Sequence, residues 1–141
     1  MKYRKGIRLV VYKKEKNRIL YLVLKRKLRW KGYELIKGGK KEKENDLQAI
    51  KRELKEETNL TPLKIKKLNL IDKFIYPDKY KKIFKKNGFI ARCYLVEVGS
   101  KKIKLSKEHS SYKWLPYIKA KNILSYDNAK KILKIANKIL K

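Results

Sequence analysis

Hydrophobic positions along the chain switch between two periods. Residues 7–12 and 18–24 are dense in Val, Ile, Leu and Tyr, with the polar stretch 13–17 between them, which predicts a hairpin. Gly32 opens a further short strand over 33–36. From Asp46 to Thr58 the period becomes helical, with Leu47, Ile50 and Leu54 on one stripe, Asn45 or Asp46 as N-cap, and Asn59 as a C-cap that tolerates the left-handed conformation. Beyond Pro62 the stretch 64–76 is strand-like, 77–86 carries turn residues and many lysines, and 88–98 is a strong strand, which makes a second hairpin-like excursion. Residues 112–115 form a last short strand. Helices follow over about 118–124 and 127–140, the second turning Ala129, Ile132, Leu133, Ile135, Ala136, Ile139 and Leu140 inward. Strands mixed with a central and a terminal helix predict an α/β layered domain.

At 141 residues, with 43% hydrophobic content, the chain matches one ordinary domain spanning 1–141 with a packed core. Gly and Pro are sparse and no internal period occurs, which argues against linkers and repeats. The first residues, Met1 to Gly6, and Lys141 are expected to fray. Cys93 is the sole cysteine, so neither an internal disulfide nor a Cys-based zinc site can form, as in a reducing, cytoplasmic protein, and its strand context predicts a buried inert thiol. The longest apolar runs fall far short of the roughly 20 residues that span a bilayer. The N-terminus lacks the apolar segment of a signal peptide, so no membrane partner is expected.

The formal net charge is +29, from 42 Lys+Arg against 13 Asp+Glu. Such a surface attracts nucleotides, RNA or polyphosphate with a strong salt dependence. Lysine spread evenly among many Ile, Asn and Tyr is also what an AT-rich genome produces, and charge alone names no function.

Against that background, Glu44, Glu53, Glu56 and Glu57 are concentrated in one segment. On a helix Glu56 lies about 300° and Glu57 about 40° around from Glu53, so the three point into one sector. Like charges at these spacings repel by tenths of a kcal/mol per pair. Divalent cations between them would remove that cost, since hard ions such as Mg²⁺ take carboxylate and phosphate oxygens. Glutamates alone are the ordinary pattern of a solvated helix face. The flanking positions weigh the other way: Gly38 and Gly39 close the preceding strand with flexible backbone, Glu44 precedes the helix, and Arg52 can pair with a neighbouring carboxylate.

Residues 38–60, Gly38, five residues, Glu44, seven residues, then Arg52-Glu53-Leu54-Lys55-Glu56-Glu57-Thr58-Asn59-Leu60, resemble the signature of the Nudix hydrolases. Asn59 replaces the final glycine of that signature, and Lys43 stands where relatives commonly carry Gly. The resemblance implies the Nudix fold, an α/β/α sandwich around a central mixed sheet, and hydrolysis of a phosphoanhydride in a nucleoside diphosphate linked to another group. It implies that Glu53, Glu56 and Glu57 bind Mg²⁺ or Mn²⁺ with the Gly38 or Gly39 carbonyl nearby, and that Arg52 and Glu44 orient loop and helix.

Three features outside the signature are similar to the asymmetric diadenosine tetraphosphate hydrolase branch and its RNA pyrophosphohydrolase relatives. Lys37 precedes Gly38 and could hold a phosphate as a point charge. Tyr76 stands where that branch tends to place a base-stacking tyrosine, although it is one of 10 tyrosines and could be a plain strand residue, and Pro77 is a feature of ADP-ribose-cleaving relatives. Glu108, within Glu108-His109-Ser110-Ser111-Tyr112-Lys113-Trp114-Leu115, is similar to that branch's loop glutamate, as a metal ligand or as the base for the attacking water. His109 is expected at the surface. The expected partner is a nucleoside polyphosphate, with RNA possible through the basic surface. Neither monomer nor homodimer is favoured by the sequence.

Overall fold

The computed structural model describes residues 2–28 and 31–141. Its centre is β1 (Tyr3–Glu15), which runs antiparallel to β2 (Arg18–Arg26) at its C-terminal end, from Tyr12↔Tyr21 to Glu15↔Arg18. Lys16 and Asn17 turn this hairpin with φ of 48° and 66°, the paired left-handed conformation that matches the twist of the flanking strands. After β3 (Gly32–Glu34), the N-terminal half of β1 takes a different neighbour on the same edge. It pairs with β4 (Ile36–Gly39) from Gly6↔Gly39 to Leu9↔Ile36.

Helix α1 (Asp46–Thr58) follows, then β5 (Lys64–Ile75), α2 (Asp78–Phe84), β6 (Gly88–Glu97), β7 (His109–Leu115), α3 (Tyr117–Ile123) and α4 (Asp127–Leu140). On its other edge β1 runs parallel to β6 from Tyr3↔Gly88 to Tyr12↔Glu97, and β5 closes antiparallel onto β6. β3 and β7 both pair with β2. The described residues thus build a mixed seven-stranded sheet.

Strand alternation sends side chains to two cores. Ile7, Leu9, Val11, Leu22, Leu24, Tyr94 and Val96 face α1 and its Ala49, Ile50 and Leu54. Val10, Tyr12, Tyr21, Val23, Cys93 and Leu95 face α3 and α4. Two covered faces explain why the central strands read as nearly continuous apolar runs. Full burial of Ile50 and Leu54 contributes about 1.5–3 kcal/mol each. Arg8 lies among the apolar residues of the second face, where its Nε and Nη2 donate to Asp72 at 3.0 and 2.7 Å, and Asn128 Nδ2 donates to the other oxygen at 3.0 Å. Burial pushes the Cys93 thiol up to about 12.

Several expectations are corrected. Tyr3–Gly6 do not fray but form the strand that pairs with β4 and β6; Met1 lies outside the described residues. The stretch 77–86 holds α2, whose Tyr80 and Phe84 close over Tyr76. Leu47 and Ile139 are exposed, because the buried stripes centre on Ile50/Leu54 and on Ile132/Leu133/Ala136. The 33–36 strand is two strands that break at Leu35.

Candidate active site

Helix α1 begins with a reciprocal cap: Gln48 N donates to Asn45 Oδ1 at 2.8 Å and Asn45 N donates to Gln48 Oε1 at 2.9 Å. Asn59 ends it in the left-handed region at φ 63°, as expected of a residue standing in for glycine. Between the caps, Arg52 ties the preceding loop to the helix. Its Nε and Nη2 donate to the two oxygens of Glu44 at 2.7 and 2.8 Å, Nη2 also donates to the Gly39 carbonyl at 2.8 Å, and Nη1 donates to Glu53 Oε1 at 2.8 Å. The fork geometry of guanidinium on carboxylate suits this double grip. The Arg52 hydrogen bonds, helped by the Lys41 amide, hold the Glu44 carboxyl down at about 2.

Gly38 and Gly39 are in strand conformation; among the described residues only Gly32 is a glycine with positive φ. Their lack of side chain answers a close approach, not a need for flexible backbone. A Cβ on Gly38 would fall inside the Glu53 carboxyl group, and one on Gly39 would meet the Arg4 guanidinium at 2.7 Å. The strand edge is therefore bare where the helix carboxylates come down on it.

Glu53, Glu56 and Glu57 line one pocket of about 120 Å³ together with Glu108, Gly38, Lys37, Arg26 and Arg4. Gly39 is not among its walls, and its carbonyl is taken by Arg52. Burial pushes the Glu53 carboxyl up; Arg52 opposes this, and the Glu56 and Glu57 charges add to it. Glu108 reaches the pocket because its loop is pinned to the end of α1: Ser106 N donates to the Glu57 carbonyl at 3.3 Å and Lys104 N to the Thr58 carbonyl at 3.0 Å. These two bonds satisfy carbonyls that a helix end leaves without partners. Arg26 Nη1 stands 3.5 Å from Glu108 Oε2.

His109, expected at the surface, is 4% exposed. Its Nε2 lies 2.7 Å from Glu34 Oε2 and its Nδ1 lies 3.0 Å from Glu57 Oε2. Burial works against the charged ring, yet the Glu34 and Glu57 carboxylates prevail and push it up to about 9. Arg26 Nη1 donates to the same Glu34 oxygen at 3.2 Å. Arg4, Arg26, Glu34 and His109 are the site residues the sequence reading missed. The one available signal was the position of Glu34 between Tyr33 and Leu35, a carboxylate inside a strand.

Lys37 and Tyr76 also line a second, apolar pocket of about 300 Å³, with Phe74, Pro77, Tyr80 and Tyr126 among its walls. Lys37 Nζ lies 4.8 Å from the Phe74 ring centre. Burial, with Arg8 adding to it, pushes its ammonium down to about 7. Tyr76 is 4% exposed and packs on Phe84 with ring centres 4.9 Å apart.

The profile of the NUDIX domain family matches residues 2–135. The chain belongs to the NUDIX family. The fold is shared with solved Nudix structures at low identity. A C. elegans Ap4A hydrolase binary complex has a TM-score of 0.79 and 24% identity, over 97% of this chain and 97% of that one. A Listeria monocytogenes structure assigned to the NUDIX hydrolases has 0.80 and 23%, over 99% and 94%. The NUDIX domain of Shewanella oneidensis NrtR, complexed with ADP ribose, has 0.80 and 16%, over 100% and 90%. Among curated proteins none matches the chain. The protein is thus an α/β enzyme of the Nudix pyrophosphohydrolase type. Nudix enzymes typically use divalent metals, and the donor set fits one: four carboxylates converge on a pocket beside a strand edge kept bare by glycine, which is the oxygen-rich surrounding a hard cation takes.

Proposed function

We propose that this Nudix protein is a Mg²⁺- or Mn²⁺-dependent hydrolase of bis(5′-nucleosyl) tetraphosphates that cleaves diadenosine tetraphosphate to AMP and ATP. The reading is carried by one observation: the carboxylate pocket and the aromatic pocket adjoin, with Lys37 and Tyr76 in the walls of both. A substrate with a flat base at one end and a polyphosphate chain next to it matches that pair. Phe74, Tyr76, Tyr80 and Tyr126 offer ring surface for a base, while Arg4 stands in the carboxylate pocket as a partner for phosphate oxygens.

Glu53, Glu56 and Glu57 would hold the metal, with Gly38 leaving room for Glu53. When bound, the metal supplies charge neutralisation at the phosphates and a more acidic water. Arg52 and Glu44 hold the loop against the helix so that the carboxylates keep one geometry. Glu108, with its side chain 43% exposed at the pocket wall, would ligate the metal or take the proton of the attacking water. A C. elegans Ap4A hydrolase among the similar structures supports the choice of substrate.

A second reading, hydrolysis of the 5′-triphosphate or cap of RNA, draws on the net charge of +29. A screen of dinucleoside polyphosphates, ADP-ribose, dNTPs and triphosphorylated RNA separates the two. Diadenosine tetraphosphate should give the highest kcat/KM; a higher value for RNA would replace the first reading with the second. Glu56→Gln, at an exposed carboxylate, should abolish metal-dependent hydrolysis without altering the circular dichroism spectrum. Cleavage of none of these by the unmodified protein with any divalent ion would leave a nucleotide-binding module instead.

A further inference from the structure

The sole histidine of the chain is built into the protein in the manner of a metal ligand. His109 has a side chain only 3% exposed, and its Nε2 faces Glu34 Oε2 at 2.7 Å. An imidazole that gives its Nε2 proton to a carboxylate is fixed in orientation and offers Nδ1 to the other side, the usual support of a metal-bound histidine. Nδ1 has no directed hydrogen-bond partner. Glu57 Oε2 lies 3.0 Å from it, and one oxygen each of Glu57 and Glu108 with a ring nitrogen of His109 lie within 4.8 Å of one another. Two donors each about 2.1 Å from a common ion stand about 3.0 Å apart at the right angle of six-coordination and about 3.4 Å apart at the tetrahedral angle, so the Nδ1 to Glu57 spacing is near that of two adjacent ligands. Arg26 Nη1 stands 3.5 Å from Oε2 of Glu108.

We propose that His109 Nδ1, Glu57 and Glu108 form a mixed nitrogen and oxygen site that takes a first-row transition ion such as Mn²⁺ or Zn²⁺ in preference to Mg²⁺. Imidazole nitrogen raises affinity along the series toward the later ions and adds little for Mg²⁺, which prefers oxygen. The site borders the Glu53–Glu56–Glu57 cluster and shares Glu57 with it, but it does not depend on hydrolysis. Glu34 holds the ring from behind, and the loop pinned to the end of α1 brings Glu108 and His109 to Glu57.

The unmodified, untagged protein offers a direct test, because with one histidine imidazole ¹⁵N labelling reports on His109 alone. One equivalent of Zn²⁺ should move the Nδ1 resonance to a metal-bound position and leave Nε2 protonated, whereas Mg²⁺ should leave Nδ1 in place. By calorimetry, His109→Gln should bind Zn²⁺ at least about tenfold more weakly. If Zn²⁺ binds without moving Nδ1, the proposal is overturned while a carboxylate metal site stands. If neither Zn²⁺ nor Mg²⁺ binds, both fall.

Discussion

Two single residues carry much of the site's geometry. Gly38 is needed for the space it leaves, since any side chain there enters the Glu53 carboxyl. Gly38→Ala should therefore displace Glu53, break its bond from Arg52 and reduce kcat by at least tenfold, while a urea melt shows a much smaller effect than the loss of activity. His109 makes a prediction about pH in metal-free protein. Its ring titrates near 6.5 when unfolded and is pushed up to about 9 in the fold by Glu34 and Glu57, so the folded state binds the proton more tightly. The stability this supplies, on the order of 3 kcal/mol at most, is fully present below pH 6.5 and is lost as pH rises through 9. Urea melts in EDTA should show the wild type exceeding His109→Gln at pH 6, with the gap shrinking toward pH 10. A gap that does not depend on pH would mean that the ring is not held as the imidazolium.

At the scale of elements, the loop from β4 to α1 contains a strained residue. Lys43 adopts φ 67°, a region that costs a residue with a Cβ about 1 kcal/mol or more. Lys43→Gly should raise stability by ~0.5–1 kcal/mol, read as a higher urea midpoint with unchanged slope; a lower midpoint would show that the Lys43 side chain contributes more than its backbone costs. The same loop shows why α1 could be read from sequence: the cap pair Asn45/Gln48, the stripe Ile50/Leu54 and the left-handed Asn59 are all local signals within the helix or next to it. The N-terminal half of β1 could not be read so, because Tyr3, Arg4 and Lys5 look polar and are ordered by residues far along the chain, Gly88 to Ile90. Helix α2 had a signal, Tyr80 and Phe84 one turn apart after Pro77, outweighed by its lysines. His109 looked like a surface residue because Glu34 and Glu57, which bury and bind it, come from β3 and α1. The spacing of Gly38, Glu53, Glu56 and Glu57 was visible; the aromatic pocket beside them was not, since β5, α2 and α4 supply its walls.

For the whole molecule, the question is whether a net charge of +29 is a binding surface or a background. Basic residues lie on nearly every element: Arg4 and Lys5 on β1, Lys51 and Lys55 on α1, Lys79 and Lys82 on α2, and Lys130, Lys131, Lys134 and Lys138 around α4. A field spread so widely attracts any polyanion and selects none, and its attraction works by releasing counterions, which salt opposes. Each single-stranded phosphate neutralised adds about 0.7 to the slope of log affinity against log salt. A diffuse surface making six such contacts would lose more than two decades of affinity between about 50 and 200 mM salt. On the proposed reading, a small dinucleotide seated in the two adjoining pockets would gain from ring stacking, which salt leaves largely alone. Triphosphorylated RNA should therefore compete with diadenosine tetraphosphate hydrolysis at about 50 mM salt and cease to do so by about 200 mM. Competition that persists at the higher salt would mean that RNA engages the pockets themselves, and the charge would then count as part of the site.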